Sequence, residues 1–259
     1  PPSPTIDVAL TGEIALAHEE MSAALGGVEL AGLMSLLFVA LILHLGLRSL
    51  RILLAIAAML VMGVCLTLGF ATLVIGELNT LSMIFVVLFF GLGVDFAAHF
   101  TLRTQSHLSN NVAMALVQAL KDTGPALILC SLTSAGSFLA FLPTAYRGFA
   151  ELGVISAGGI AIALLLTLTV IPAALMCWTP APQDLSRKML ITPLLRRLSA
   201  NSDSLPRGLV VGIFAVAFLA SLSMAKDVRF DYSVLAMRDA QSPAMRALLD
   251  LQSDRQTTD

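Results

Sequence analysis

The run LSMIFVVLFFGLGVDFAAHFTL, residues 81–102, decides how the rest of the sequence is interpreted. It is long enough to cross the hydrocarbon core of a bilayer as a helix, which takes about 20 apolar residues. Its only ionisable side chains are Asp95 and His99. A carboxylate in the middle of an apolar run is costly and usually functional in membrane proteins. The run therefore predicts a membrane-spanning helix that carries a functional acid.

Five further runs have similar length and apolar character, so the sequence predicts six spans. The chain of 259 residues is 57% hydrophobic and only 12% charged, whereas soluble domains are about 25% charged. We therefore expect an all-α polytopic membrane bundle. The predicted spans are Val28–Leu47, Ile52–Ile75, Leu81–Leu102, Pro125–Leu142, Phe149–Cys177 and Gly208–Ala225.

Lys and Arg residues predict the orientation of these spans, because cytoplasmic loops retain positive charge. The fourth connection holds only Arg147, and the second connection holds none. The odd-numbered connections are therefore predicted to be cytoplasmic and both chain ends periplasmic. The nine basic residues of the odd connections are Arg48, Arg51, Arg103, Lys121, Arg187, Lys188, Arg196, Arg197 and Arg207.

The regions outside the spans look like the edges of soluble domains. Residues 5–11 alternate partly between apolar and polar, which is typical of a strand. Residues 185–198 mix apolar and basic residues, which is typical of an amphipathic surface segment or a packed linker. The predicted division is 1–27 (end of a first periplasmic domain), 28–178 (membrane helices), 179–207 (cytoplasmic linker), 208–225 (a further membrane helix) and 226–259 (start of a second periplasmic domain).

Local signals refine two of the spans. Asn111 is a predicted N-cap of a short surface helix before the fourth span. Pro125 follows Gly124 and suits the first position of that span, where its missing donor costs nothing. Pro172 is predicted to bend or end the fifth span within about one turn of Leu168, because proline removes a backbone donor.

Asp95 is the leading candidate for chemistry. A charged carboxylate near the bilayer centre costs about 2.5–3.5 kcal/mol on insertion scales. Poor solvation favours its neutral form, so it can bind and release a proton as its surroundings change. The alternative is an aspartate kept only as a hydrogen-bond partner between helices. We expect no cofactor and no metal site. The net charge of −2 and the absence of a basic, aromatic-rich patch argue against a nucleic-acid partner.

His99 and Gly91 lie four residues on either side of Asp95 and therefore share its helix face. The predicted roles are relay support for His99 and helix packing at the relay for Gly91 and Gly93, since small residues let helices approach closely. A structural histidine with a satisfied hydrogen bond is the alternative for His99.

The fourth span is polar at its centre, where four hydroxyls occur within seven positions. Ser131, Thr133 and Ser134, with Ser137, could hold the water of a proton path. The alternative is that each hydroxyl bonds to a carbonyl of its own helix.

The combination resembles the RND (resistance–nodulation–division) superfamily over essentially the whole chain. Each half of such a protein has one span, a large outer domain and five more spans. The resemblance implies that this chain runs from the end of the first outer domain, through spans two to seven, to the start of the second. The stretches that carry it are Leu10–Glu13 with Glu19-Glu20, Gly91–Asp95, Phe149–Val154 through Thr169–Pro172, and Phe230–Tyr232 with Met237-Arg238.

Within that superfamily the chain is most similar to the branch of MmpL-type and hopanoid transporters, which moves lipids. MmpL-type proteins have Asp-Tyr where this chain has Asp95-Phe96, and drug pumps have two adjacent aspartates. The resemblance implies an RND-type transporter of the bacterial inner membrane in which Asp95 binds the coupling proton. It also implies membrane lipids and the second half of the same polypeptide as partners, with a homo-oligomer as an open option.

Three other functions remain at this stage. A Patched-like sterol sensor or a SecD/SecF-type export accessory would share the spans and the motifs. An intramembrane aspartyl protease has Gly-x-Gly-Asp, whereas Val94 interrupts that motif here. A protease also needs a second aspartate to divide the acid and base roles, and the other predicted spans contain none.

Overall fold

The structure is a computed structural model that describes residues 11–47, 49–76, 78–108, 111–178, 207–226 and 242–257. These residues form eight helices and no strand. The strand predicted at 5–11 and the amphipathic segment at 185–198 lie outside the described residues, apart from Thr11. The helices are α1 Glu13–Leu47, α2 Leu50–Val74, α3 Thr80–Met83, α4 Phe85–Ser106, α5 Val112–Leu139, α6 Arg147–Cys177, α7 Arg207–Ala225 and α8 Pro243–Thr257.

Five of these helices, α1, α2, α4, α5 and α6, are long and apolar enough to cross a membrane. They correspond to the first five predicted spans. The sixth prediction, Gly208–Ala225, forms helix α7, whose apolar part Val211–Ala225 is shorter than the other five. Its crossing of the membrane therefore stays a prediction.

Helix α5 differs from its prediction because it is one helix rather than a surface helix followed by a span. Asn111 caps it as predicted, with its side chain accepting from the Met114 backbone N–H at 3.2 Å. Pro125 lies inside the helix instead of at the start of one. The buried side chains Ala119 and Leu127 lie on either side of the proline. Packing of this continuous apolar face outweighs the one missing backbone bond.

Helix α6 also continues through its proline. It runs to Cys177, where the predicted span also ends, and therefore does not end near Leu168; the bend predicted there stays a prediction. Ile171 and Leu175 flank Pro172 and are 1% and 2% exposed. Their burial holds the last turns in place, because a packed apolar face stabilises a helix more than local propensity does.

The core of residues 21–184 is built around α6, which packs against α2, α4 and α5. Glycines allow the closest approaches. A Cβ atom at Gly153 of α6 would lie 2.5 Å from the carbonyl oxygen of Phe138 in α5. A Cβ at Gly159 would lie 2.5 Å from the ring of Phe85 in α4. Only a residue without a side chain fits at these two contacts.

The remaining compact unit combines residues 1–20 with residues 185–259. Leu16 of α1 packs there with Ala244 and Met245 of α8. Thr11 donates a hydrogen bond to the Ala244 carbonyl at 2.8 Å, and the Glu19 carboxylate accepts from the Ala244 backbone N–H at 3.1 Å. Glu19 thereby supplies an acceptor to the first turn of α8, where backbone donors lack partners within the helix.

Candidate functional site

Asp95 lies close to the middle of α4, ten residues after Phe85 and eleven before Ser106. Its side chain is exposed, as are those of Leu88 and His99. We call the face defined by Leu88, Gly91, Asp95 and His99 the open face of α4.

The opposite side of α4, the packed face, is buried in the helix bundle. Phe89 is 2% exposed, Ala97 0% and Phe100 1%. The ring of Phe89 lies against Gly63 of α2, and its centroid is 5.5 Å from that of Phe85 in an edge-to-face arrangement. These contacts fix the rotation of α4 about its own axis, so the Asp95 carboxylate points away from α2, α5 and α6.

Within the described part of the chain, the Asp95 carboxylate makes no hydrogen bond and no ion pair. A carboxylate at this depth is not left facing hydrocarbon, because nothing there compensates for its lost hydration. The open face therefore requires a polar partner or water.

The glycines beside Asp95 fall on different faces. A Cβ at Gly93 would lie 3.1 Å from Leu60 Cδ2 and 3.7 Å from Ala163 Cβ, so Gly93 lies in the contact of α4 with α2 and α6. A Cβ at Gly91 would have no atom within 4 Å. No described helix packs against Gly91, so its packing role stays a prediction.

Among the described residues, no hydrogen bond joins a hydroxyl of α5 to Asp95. Thr133 donates to the carbonyls of Leu129 and Cys130, both at 3.0 Å, and Ser137 donates to that of Thr133 at 2.9 Å. These two hydroxyls bond to carbonyls of their own helix, which is the alternative to holding the water of a proton path. Ser131 is buried and Ser134 half-buried.

A polar cluster that the sequence did not reveal joins α3 to α6. The Asn79 amide donates to the Glu151 carboxylate, while the Asn79 side-chain oxygen accepts from the Ser82 backbone N–H at 2.8 Å. Arg147 Nε donates to Glu151 at 2.6 Å. The four-residue spacing of Arg147 and Glu151 was the available signal, since such pairs meet on one helix face. No signal in the sequence indicated the contact with Asn79.

A second missed cluster joins the end of α4 to α5 through one carboxylate. Asp122 Oδ2 accepts from Arg103 Nε at 2.8 Å and lies 2.7 Å from His107 Nε2. Asp122 Oδ1 accepts from Gln118 Nε2 at 3.2 Å. The spacing of Gln118 and Asp122 predicts their contact, but the contacts to α4 depend on how the two helices pack. No group of three or more potential metal-ligating His, Cys, Asp or Glu side chains occurs among the described residues.

Comparison with known proteins gives a consistent assignment. The model of the MMPL family matches residues 1–207. The chain is 35% identical over 252 residues to the hopanoid transporter HpnN of Rhodopseudomonas palustris (strain TIE-1), covering 96% of this chain and 29% of that protein. It is 36% identical over 246 residues to the hopanoid transporter HpnN of Burkholderia multivorans (strain ATCC 17616 / 249), covering 94% of this chain and 28% of that protein. The chain thus spans less than a third of the length of these relatives.

Proposed function

The chain belongs to the MMPL family and is a multi-pass membrane protein, and from that premise we propose that it is part of a proton-driven lipid exporter. The cargo is a hopanoid or another hydrophobic lipid, moved from the bacterial inner membrane toward the outer membrane. The names of the two relatives support this cargo and favour a transporter over a protease. No cofactor is required, because the proton is the coupling ion.

The observation that carries the proposal is the position of Asp95. It lies midway along a membrane-length helix, is exposed, and has no partner within the described residues. A carboxylate that is alternately hydrated and covered changes its affinity for a proton, since poor solvation disfavours the charged form. The second half of the same polypeptide is the proposed cover, and the open face of α4 is where it would pack.

The test is the substitution Asp95→Asn in the full-length protein. Asparagine keeps the shape and the hydrogen-bonding capacity but cannot titrate. We expect normal membrane abundance and loss of lipid export, with partial activity in Asp95→Glu. His99→Ala should cause a smaller loss, because water can replace an imidazole along a path. Wild-type export by the Asp95→Asn protein at equal abundance would remove Asp95 from the mechanism.

The proposed orientation places Arg51 and Lys121 in the cytoplasm, and Gly76 and Arg147 in the periplasm. It also makes α7 a sixth span. Single cysteines at these four positions, in a background without other cysteines, test the map with a membrane-impermeant thiol reagent. Positions 76 and 147 should react in intact spheroplasts, and positions 51 and 121 only after lysis. The reverse pattern would overturn the orientation.

A further inference from the structure

The Asp122 cluster, defined by Arg103, His107, Gln118 and Asp122, lies at the end of α4 that the proposed orientation places in the cytoplasm. Its groups reach water: the side chains of His107 and Asp122 are 28% and 24% exposed. The cluster is therefore neither sealed in the core nor fully solvated. Arg103 lies on the same helix as Asp95, and His107 is the C-cap residue that follows the last turn of that helix.

The geometry at Asp122 fixes which nitrogen of a neutral His107 carries the proton. The paired arginine favours the ionised form of this carboxylate, and an ionised carboxylate only accepts hydrogen bonds. His107 Nε2, at 2.7 Å from Asp122 Oδ2, must then be the donor. Nδ1 is left as the basic nitrogen, so the ring can accept one more proton there while keeping its bond to Asp122.

Asp95, His99, Arg103 and His107 follow one another at intervals of four residues, the first three within α4 and the last as its C-cap. Each interval advances about 6 Å along a helix axis and turns by about 40°. The four side chains therefore form a gently winding row about 18 Å long. Arg103 interrupts the row with a positive charge, but its pairing with Asp122 neutralises that charge where the row passes it.

We propose that His107, held by Asp122, is the group that passes the proton released by Asp95 to the cytoplasm. This rests on the proposed function. The O–H bond of the Asp95 carboxyl breaks, and the proton moves through water and His99 to Nδ1 of His107. The imidazolium keeps donating to Asp122 through Nε2. Nδ1 then releases its proton to cytoplasmic water, and Asp122 remains ionised throughout.

Other ionisable groups near this end of the bundle do not compete for the role. Lys121 of α5, Arg51 of α2 and the Cys177 thiol of α6 are all exposed. In the described part of the chain none of them is hydrogen-bonded to His107. Histidine is also the only side chain whose unperturbed charge change falls between pH 5 and 8.

The experiment measures proton flux through the full-length protein in vesicles of phosphatidylethanolamine and phosphatidylglycerol, using a trapped pH-sensitive dye. The pH on the cytoplasmic side is varied from 5 to 8 at a fixed pH on the other side. His107→Gln should lower the flux about tenfold or more and flatten its dependence on cytoplasmic pH. Asp122→Asn should also lower the flux, because His107 loses the carboxylate that holds Nε2 as the donor.

His107→Lys separates proton transfer from ion pairing. Lysine keeps a cation beside Asp122 but stays protonated over this pH range, so its flux should be as low as that of His107→Gln. His44→Gln, an exposed histidine in the last turn of α1, is the matched control and should behave as wild type.

Wild-type flux and pH dependence in His107→Gln would overturn the proposal. Wild-type flux in His107→Lys would also overturn it, because His107 would then serve only as the partner of a structural ion pair. In both cases Asp95→Asn should still abolish flux. Flux that persists in Asp95→Asn would instead overturn the proposed function.

Discussion

The two faces of α4 differ in what determines their residues. On the packed face, Phe89 is 2% exposed and lies against a glycine of α2. On the open face, the adjacent Leu88 is 37% exposed and Asp95 has no partner among the described residues. The buried side chains of the packed face hold the helix bundle together. The open face contains a carboxylate that needs a polar partner or water, and the proposed chemistry is located there.

The largest expected difference is between Phe89→Ala and Leu88→Ala. Removing a buried phenylalanine leaves a cavity and costs about 3–5 kcal/mol of unfolding free energy. We expect the lower end of that range, because lipid is as apolar as the core and only packing is lost. Leu88→Ala should cost less than about 1 kcal/mol. Unfolding by sodium dodecyl sulfate in mixed micelles measures both, and equal losses would show that the two faces are packed alike.

A second pair of substitutions tests the packed and open sides of the helices next to α4. In Gly153→Ala, the new Cβ would lie 2.5 Å from the Phe138 carbonyl oxygen, and backbone cannot move aside as a side chain can. Such overpacking costs about 1–3 kcal/mol. Gly136→Ala, with no atom within 4 Å of its Cβ, should instead raise helix stability by up to about 1 kcal/mol. The same unfolding assay checks the sign of each change, and a stabilising Gly153→Ala would contradict the close contact.

The smallest expected effects on stability are at Gly91 and Gly93. Gly93→Ala meets the flexible end of Leu60 at 3.1 Å, so we expect a loss below about 1 kcal/mol. Gly91→Ala should be neutral or stabilising by up to about 1 kcal/mol in a fragment covering 1–259. In the full-length protein it should reduce lipid export, because a Cβ would hold the covering helix away from Asp95. Unchanged export in Gly91→Ala would show that no helix packs closely on the open face.

The sequence predicted the membrane helices well where the apolar run alone decides the structure. Residues 52–75 and 81–102 match α2 and α4 to within a few residues. It failed at Pro125, where local rules predict the start of a helix and α5 instead continues through the proline. At Pro172 the predicted span already continued to Cys177, as α6 does. Side chains buried on both sides of each proline keep α5 and α6 continuous, and that burial depends on neighbours that a single helix does not specify.

The candidate site could be predicted from the sequence only where a single residue defines it. Asp95 was selected as the candidate because it is an acid in an apolar run, which needs no knowledge of packing, and its role stays a prediction. The Asp122 cluster was missed because its carboxylate lies 15 residues from His107 and 19 residues from Arg103 in sequence. Their contact exists only once α4 and α5 have paired.

The adjacent glycines of α6 have a mechanical consequence. Gly158 receives the ring of Phe70 from α2, and Gly159 receives the ring of Phe85 from α4. Turning either of these helices alone would drive a ring into the α6 backbone, so these contacts oppose rotation of α2 or α4 against α6. If Asp95 binds the coupling proton as proposed, these contacts disfavour a twist of α4 within its own bundle as the response. Under the proposed function, the response to protonation is instead a displacement of this bundle relative to its proposed cover at the open face of α4.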